Sequence, residues 1–171
     1  MITPAYCLMM ARYNAWQNWQ IAEVFDTLDS AALHEDRGAF FGSLLSTANH
    51  ILWADQMWMS RFAGLPKPDL IQKESGSLTA SAQDWRAERA KMDAALLGWA
   101  AGLEASDVTG ELTWYSGSIK ADVRANRAQL ITHMFNHQTH HRGQIHGLLT
   151  AIGKDPGVTD LAFLPETGPW A

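Results

Sequence analysis

Five of the chain's seven histidines fall in the run HMFNHQTHHRGQIH, from His133 to His146. A helix turns about 100° per residue, so side chains four apart share a face. The run holds two such pairs, His133 with His137 and His137 with His141. Two imidazoles one turn apart form a bidentate clamp for a divalent metal. The apolar stripe of the same segment, Leu130, Met134, Ile145 and Leu148, chooses between them. His137 and His141 fall within that stripe, His133 and His140 rotate away from it, and His146 lies on the far side. One such pair is weak evidence by itself, because histidines also occur on helix surfaces and as hydrogen-bonded core residues. Between His137 and His141 stand Gln138, Thr139 and His140, so the glutamate of the HExxH zinc proteases is missing.

A third ligand has to come from another element, and His50 is the candidate. It sits in SLLSTANHILWADQMWMSRF, beside Ala54 and Met57 rather than at the centre of the stripe made by Leu44, Ile51, Trp58 and Phe62. Three neutral imidazoles with an unfilled position are the ligand set of a catalytic site, since closed structural zinc sites use four protein ligands and often cysteine. Imidazole suits zinc, nickel, copper and iron. The expected cofactor is a divalent cation, with zinc or nickel first.

Asp55 is the one acidic residue on the apolar face of the same segment, and it has two readings. As a catalytic-site residue it accepts the second N–H of a metal-bound imidazole, or acts as a general base. As a structural residue it pairs with an arginine such as Arg61 or Arg142. The chain's eight tryptophans also divide: Trp16, Trp53, Trp58 and Trp114 either line a cavity or form plain core, the commoner use of aromatics at helical spacing. His34 and His146 read as exposed polar residues, and His133 and His140 as surface groups or partners of the ligands.

These side chains need rigid rods to hold them. Thr3 and Pro4 start a first helix over residues 4–28, with Met9, Tyr13, Trp16, Ile21, Phe25 and Leu28 at spacings of mostly three and four. A connection to Gly38 follows, then a second helix from about Phe40 to Phe62, stopped by Gly64, Pro66 and Pro68. The segment LPKPDLIQKESGS reads as a loop. Thr79 caps a third helix whose seam is Trp85, Arg89, Met92, Leu96, Trp99 and Leu103. Residues 105–125 lose the helical period, and LTWYSGSIKA allows a short hairpin about Gly117 and Ser118, with Tyr115 able to overhang a site. A fourth helix runs from about Asn126 to Ala151 with Gly153 as its stop, and the Pro- and Gly-rich tail wraps the surface. The expected fold is one all-α domain over residues 1–171, an antiparallel four-helix bundle with a short irregular or hairpin insert before the fourth helix. The long loop before the third helix permits a crossover.

Composition narrows the function classes. A net charge of −5, from 13 Lys and Arg against 18 Asp and Glu with no basic run, argues against nucleic acid as a partner. No apolar run approaches the roughly 20 residues of a membrane span. The single cysteine, Cys7, rules out an intrachain disulfide framework, reads as a small core hydrophobe, and fits a reducing cytoplasm. MITPAYCLMM carries neither a basic n-region nor a small-residue cleavage site. The expected location is cytoplasmic.

Three stretches together carry a resemblance: YNAWQNWQI, DRGAFFGSLLSTANHILWADQMW and HMFNHQTHHRGQIHGLL, with TDLAFL near the end. The chain resembles the DinB (DNA-damage-inducible) family, grouped with YfiT-like metal-dependent hydrolases. The resemblance covers nearly the whole chain, and NHQTHHRGQ is its most specific part. It implies an up-down-down-up bundle, often a homodimer, with a divalent metal on three histidines that map onto His50, His137 and His141. The polymerase that shares the DinB name is unrelated. Some distant relatives look like thiol-dependent transferases or isomerases using bacillithiol or mycothiol, others like hydrolases. Nothing in this chain marks a thiol-cofactor site. The expected function is a metal-dependent enzyme acting on a small molecule, of hydrolase or thiol-dependent transferase type. The alternative is a non-catalytic, metal-binding dimeric stress-response or interaction protein.

Overall fold

The computed structural model describes residues 2–117 and 119–171. Helix α1 spans Pro4–Phe25, α2 Ser30–His34, α3 Leu44–Phe62, α4 Ala82–Ala101 and α5 Arg127–Ala151; strands β1, Glu111–Ser116, and β2, Ala121–Asn126, precede α5. The chain is mostly helical with one small sheet, so the strictly all-α expectation is corrected. The strands pair antiparallel from Glu111 opposite Asn126 to Ser116 opposite Ala121. Their turn is where the sequence puts it, at Gly117; Ser118 lies outside the described residues.

Side-chain caps set the helix starts, and they correct three sequence boundaries. Thr3 accepts from the Tyr6 N–H and Pro4 occupies the first turn, as expected. Helix α1 ends at Phe25 rather than residue 28, because Asp29 caps a separate short helix, α2, by accepting from the Ala32 N–H at 2.8 Å. The next helix starts at Leu44, not Phe40: Ser43 Oγ accepts from the Ser46 N–H, and residues 39–42 form a tight turn. Ser81 rather than Thr79 caps α4. Thr79 is otherwise engaged, its hydroxyl donating to Asn49 Oδ1 at 2.7 Å. Asn126 caps α5. Gly153, at φ 72°, ends it with N–H groups returned to Thr150 and, from Lys154, to Leu149.

Helix α1 packs on α4, α4 on α3, α3 on α5 and α5 on α1. The core between them is apolar at Phe25, Leu44, Leu52, Met59, Trp85, Leu96, Ile131 and Phe135, with Cys7 fully buried among them. One layer is polar. It links Asp55 of α3, Arg89 and Asp93 of α4, Asn14 and Asn18 of α1, and Gln138 and Arg142 of α5, all buried. The tail from 154 returns along α1: Tyr13 Oη donates to Thr159 O, Gln17 Nε2 to Val158 O, and Trp170 is buried beside Trp16. Among the described residues no helix is long and apolar enough to cross a membrane.

Candidate metal centre

Helices α3 and α5 lie side by side, and their contact brings His50 against His137 and His141. One ring nitrogen from each residue can be chosen so that all three lie within 4.8 Å of one another. Nε2 of His50 and Nε2 of His137 face each other at 3.1 Å. Two nitrogens bound tetrahedrally to one zinc-like ion at about 2.0–2.1 Å stand roughly 3.3 Å apart. The facing pair therefore already has the spacing of two corners of a coordination tetrahedron, and the residues fit a divalent ion.

The far nitrogens of two of the rings decide which atoms point inward. His50 Nδ1 is 2.8 Å from Ser75 Oγ, and His141 Nδ1 is 2.7 Å from Gln144 Oε1. An amide oxygen can only accept, so His141 carries its proton on Nδ1 and leaves Nε2 as the donor atom. Ser75 can accept from His50 in the same way. Such partners fix the tautomer and ring plane of an imidazole ligand. His137 Nδ1 is buried and, among the described residues, lacks a hydrogen-bond partner.

The surroundings keep the rings neutral. Burial, with the neighbouring imidazoles second, pulls the pKa of His50 down to about 4 and that of His137 down to about 3. His141 is lowered too, mainly by burial. Phe41 stacks on His50 with ring centroids 3.9 Å apart and turns an edge toward His141. Trp53 flanks His50 on α3. A neutral imidazole offers a lone pair where a charged one cannot, so the same dryness that disfavours protons favours a metal.

The other sequence candidates sit elsewhere. His133 is exposed and packs on Trp58, His140 is exposed beside His141, and neither joins the three-nitrogen group. His34 is exposed, as expected, whereas His146 is half-buried, because α5 turns it toward Arg142 and the tail. Among the described residues Asp55 makes no hydrogen bond to His50, His137 or His141. Arg89 Nη1 donates to its Oδ2 at 2.6 Å and Gln138 Nε2 to its Oδ1 at 2.8 Å. An arginine does pair with it, but neither Arg61 nor Arg142: Arg142 donates instead to Asn14 Oδ1.

Ser75, Gln144 and Phe41 were not legible as site residues. Ser75 belongs to a segment read as loop, which in fact holds a 3₁₀ turn, Gln72–Ser77, packed on α3. Asn49 fastens that turn by donating to Gly76 O and Thr79 O. Gln144 had a signal, since it lies three residues beyond His141 on the same helix.

Comparison with protein-family models matches residues 1–170 to the family described as DinB family. No curated protein matches the chain at significance.

Proposed function

The chain belongs to the DinB family, and from that premise we propose that it is a metal-dependent enzyme whose divalent ion is held by His50, His137 and His141. The observation that carries this reading is the convergence of three neutral ring nitrogens within 4.8 Å, supplied by two packed helices. Three protein ligands leave a position for a small molecule. Bound there, the ion would supply Lewis acidity, making a water or a substrate thiol a better nucleophile. The protein's own residues do the rest. Ser75 and Gln144 hold the rings of His50 and His141 with Nε2 inward, and Phe41 covers one side of the histidine cluster. Asp55 acts at one remove: through Gln138 it fixes the rotation of α5 beside His137.

The proposal includes zinc or nickel as the ion, a hydrolase or thiol-dependent transferase reaction, a cytoplasmic location and a homodimer. The up-down-down-up bundle of the family is part of it, supported by each of the four long helices packing on two others. Exposed aromatics such as Phe40 and Phe163 support self-association, and sedimentation equilibrium tests it. The function itself is tested on protein purified without a nickel column, by metal analysis of the wild type and His137→Ala. Stoichiometric metal that the variant loses is expected. Metal-loaded protein is then screened for thiol conjugation and ester or amide hydrolysis. Turnover abolished by a chelator supports the enzyme; bound metal without turnover supports the non-catalytic alternative.

A further inference from the structure

A cavity of about 620 Å³ opens between the C-terminal half of α3, the segment 67–73 and β1 of the hairpin. Its volume is in the range of sites for small organic ligands. Its walls are largely apolar and aromatic, with Trp53, Leu70, Trp114 and Tyr115 among them. Trp53 is fixed in place by its indole N–H, which donates to Leu70 O at 2.8 Å. Tyr115, 65% exposed, overhangs this cavity and not the histidines.

Three cations line the cavity, Arg61, Lys67 and Lys73, against one carboxylate, Asp69. Arg61 is the one held in place. Its guanidinium carbon lies 4.6 Å from the ring centre of Trp58 and 5.2 Å from that of Trp114. Among the described residues it has no carboxylate partner. Burial lowers its pKa from the usual arginine value, with no opposing charge to raise it. A planar fork of donors, partly dehydrated and seated against two indoles, suits an anionic group with two acceptor oxygens.

We infer that this cleft binds a small organic anion with an aromatic or apolar body, its carboxylate or sulfonate on Arg61 and its body against Trp53, Trp114 and Tyr115. The inference does not require the metal reading. Trp53 is nevertheless common to both places, flanking His50 and lining the cleft.

The rival role for Arg61 is to pin the hairpin to α3 and nothing more. Two isosteric probes, naphthoate and naphthamide, separate the two. Titration of the full-length protein is followed by calorimetry and by the indole N–H signals of Trp53 and Trp114. Naphthoate should bind at least about tenfold more tightly than naphthamide, shift both indoles, and weaken as salt is raised. Arg61→Met should erase the preference for the charged probe, and Arg61→Lys should keep part of it. Equal binding of the two probes, no binding of either at millimolar concentration, or shifts confined to other tryptophans would overturn the inference. Should Arg61→Met unseat the hairpin, seen as lost amide protection over residues 112–115, the wild-type ratio of the two probes still decides. The titration is repeated with chelator and in His137→Ala. Unchanged binding there supports Arg61 as the anchor. Binding that vanishes would place the anion at the histidines and overturn it.

Discussion

Gln138 Nε2 donates to Asp55 Oδ1 at 2.8 Å, in the middle of a layer that carries two arginines and two aspartates and admits almost no water. Asp55 also takes Arg89 at 2.6 Å, and Arg89 reaches Asp93 at 2.9 Å. Asn14 and Asn18 donate to Asp93. Each of the four long helices contributes, so the layer ties their rotations together. A quarter-turn of α5 would strand Asp55 and swing His137 away from His50.

That layer makes Arg89 costly to lose. Arg89→Met leaves two buried carboxylates without their cation, and breaking a buried pair in this way costs about 3–5 kcal/mol. Urea denaturation should show a fall of that order, with Gln138→Leu costing less because it removes one neutral donor. If Arg89→Met is as stable as the wild type, the layer is not what holds the helices in register.

Ser75→Ala and Gln144→Leu leave all three candidate ligands in place but release two of their rings. Loss of such orienting partners lowers metal affinity about 10–100-fold. Competition with a chromophoric chelator should show that drop, with little change in melting temperature of the metal-free Gln144→Leu protein, since Gln144 is only half-buried. Unaltered affinity in both variants would mean that these contacts do not set the tautomers.

Acid should destabilise the metal-free protein through the same histidines. In the folded chain His50 and His137 titrate near 4 and 3, against an ordinary 6.5. The unfolded chain therefore binds more protons as pH falls below about 6.5, and folding loses stability from there down toward the folded values. With chelator present, the urea midpoint should decline over that window. A variant carrying His50→Gln and His137→Gln should decline less steeply; parallel curves would place the acid sensitivity elsewhere.

Much of this was written in local pattern. The spacing of His137 and His141 within an apolar stripe singled out that pair on α5, and the period of the surrounding residues found the four long helices. Asn126 and Gly153 bracketed α5 because caps are chemistry between near neighbours. Residues 105–125 lose the helical period, and the hairpin allowed there is present as β1 and β2. Boundaries failed where two capping residues competed nearby, as with Thr79 and Ser81, since only tertiary partners decide which hydroxyl is free.

What the one-dimensional pattern could not decide is pairing at a distance. Asp55 lies 34 positions before Arg89 and 83 before Gln138, and its spacing gave no preference for them over Arg61 or Arg142. Ser75 reaches His50 only because Asn49 folds the 72–77 turn onto α3. A helix period fixes which face a side chain occupies. Which groups meet across that face depends on how the helices are shifted and rotated against one another, and that is set by the whole core at once. The sequence thus determined which helix faces carry the histidines, and the packing of α3 on α5 determined that their ring nitrogens converge.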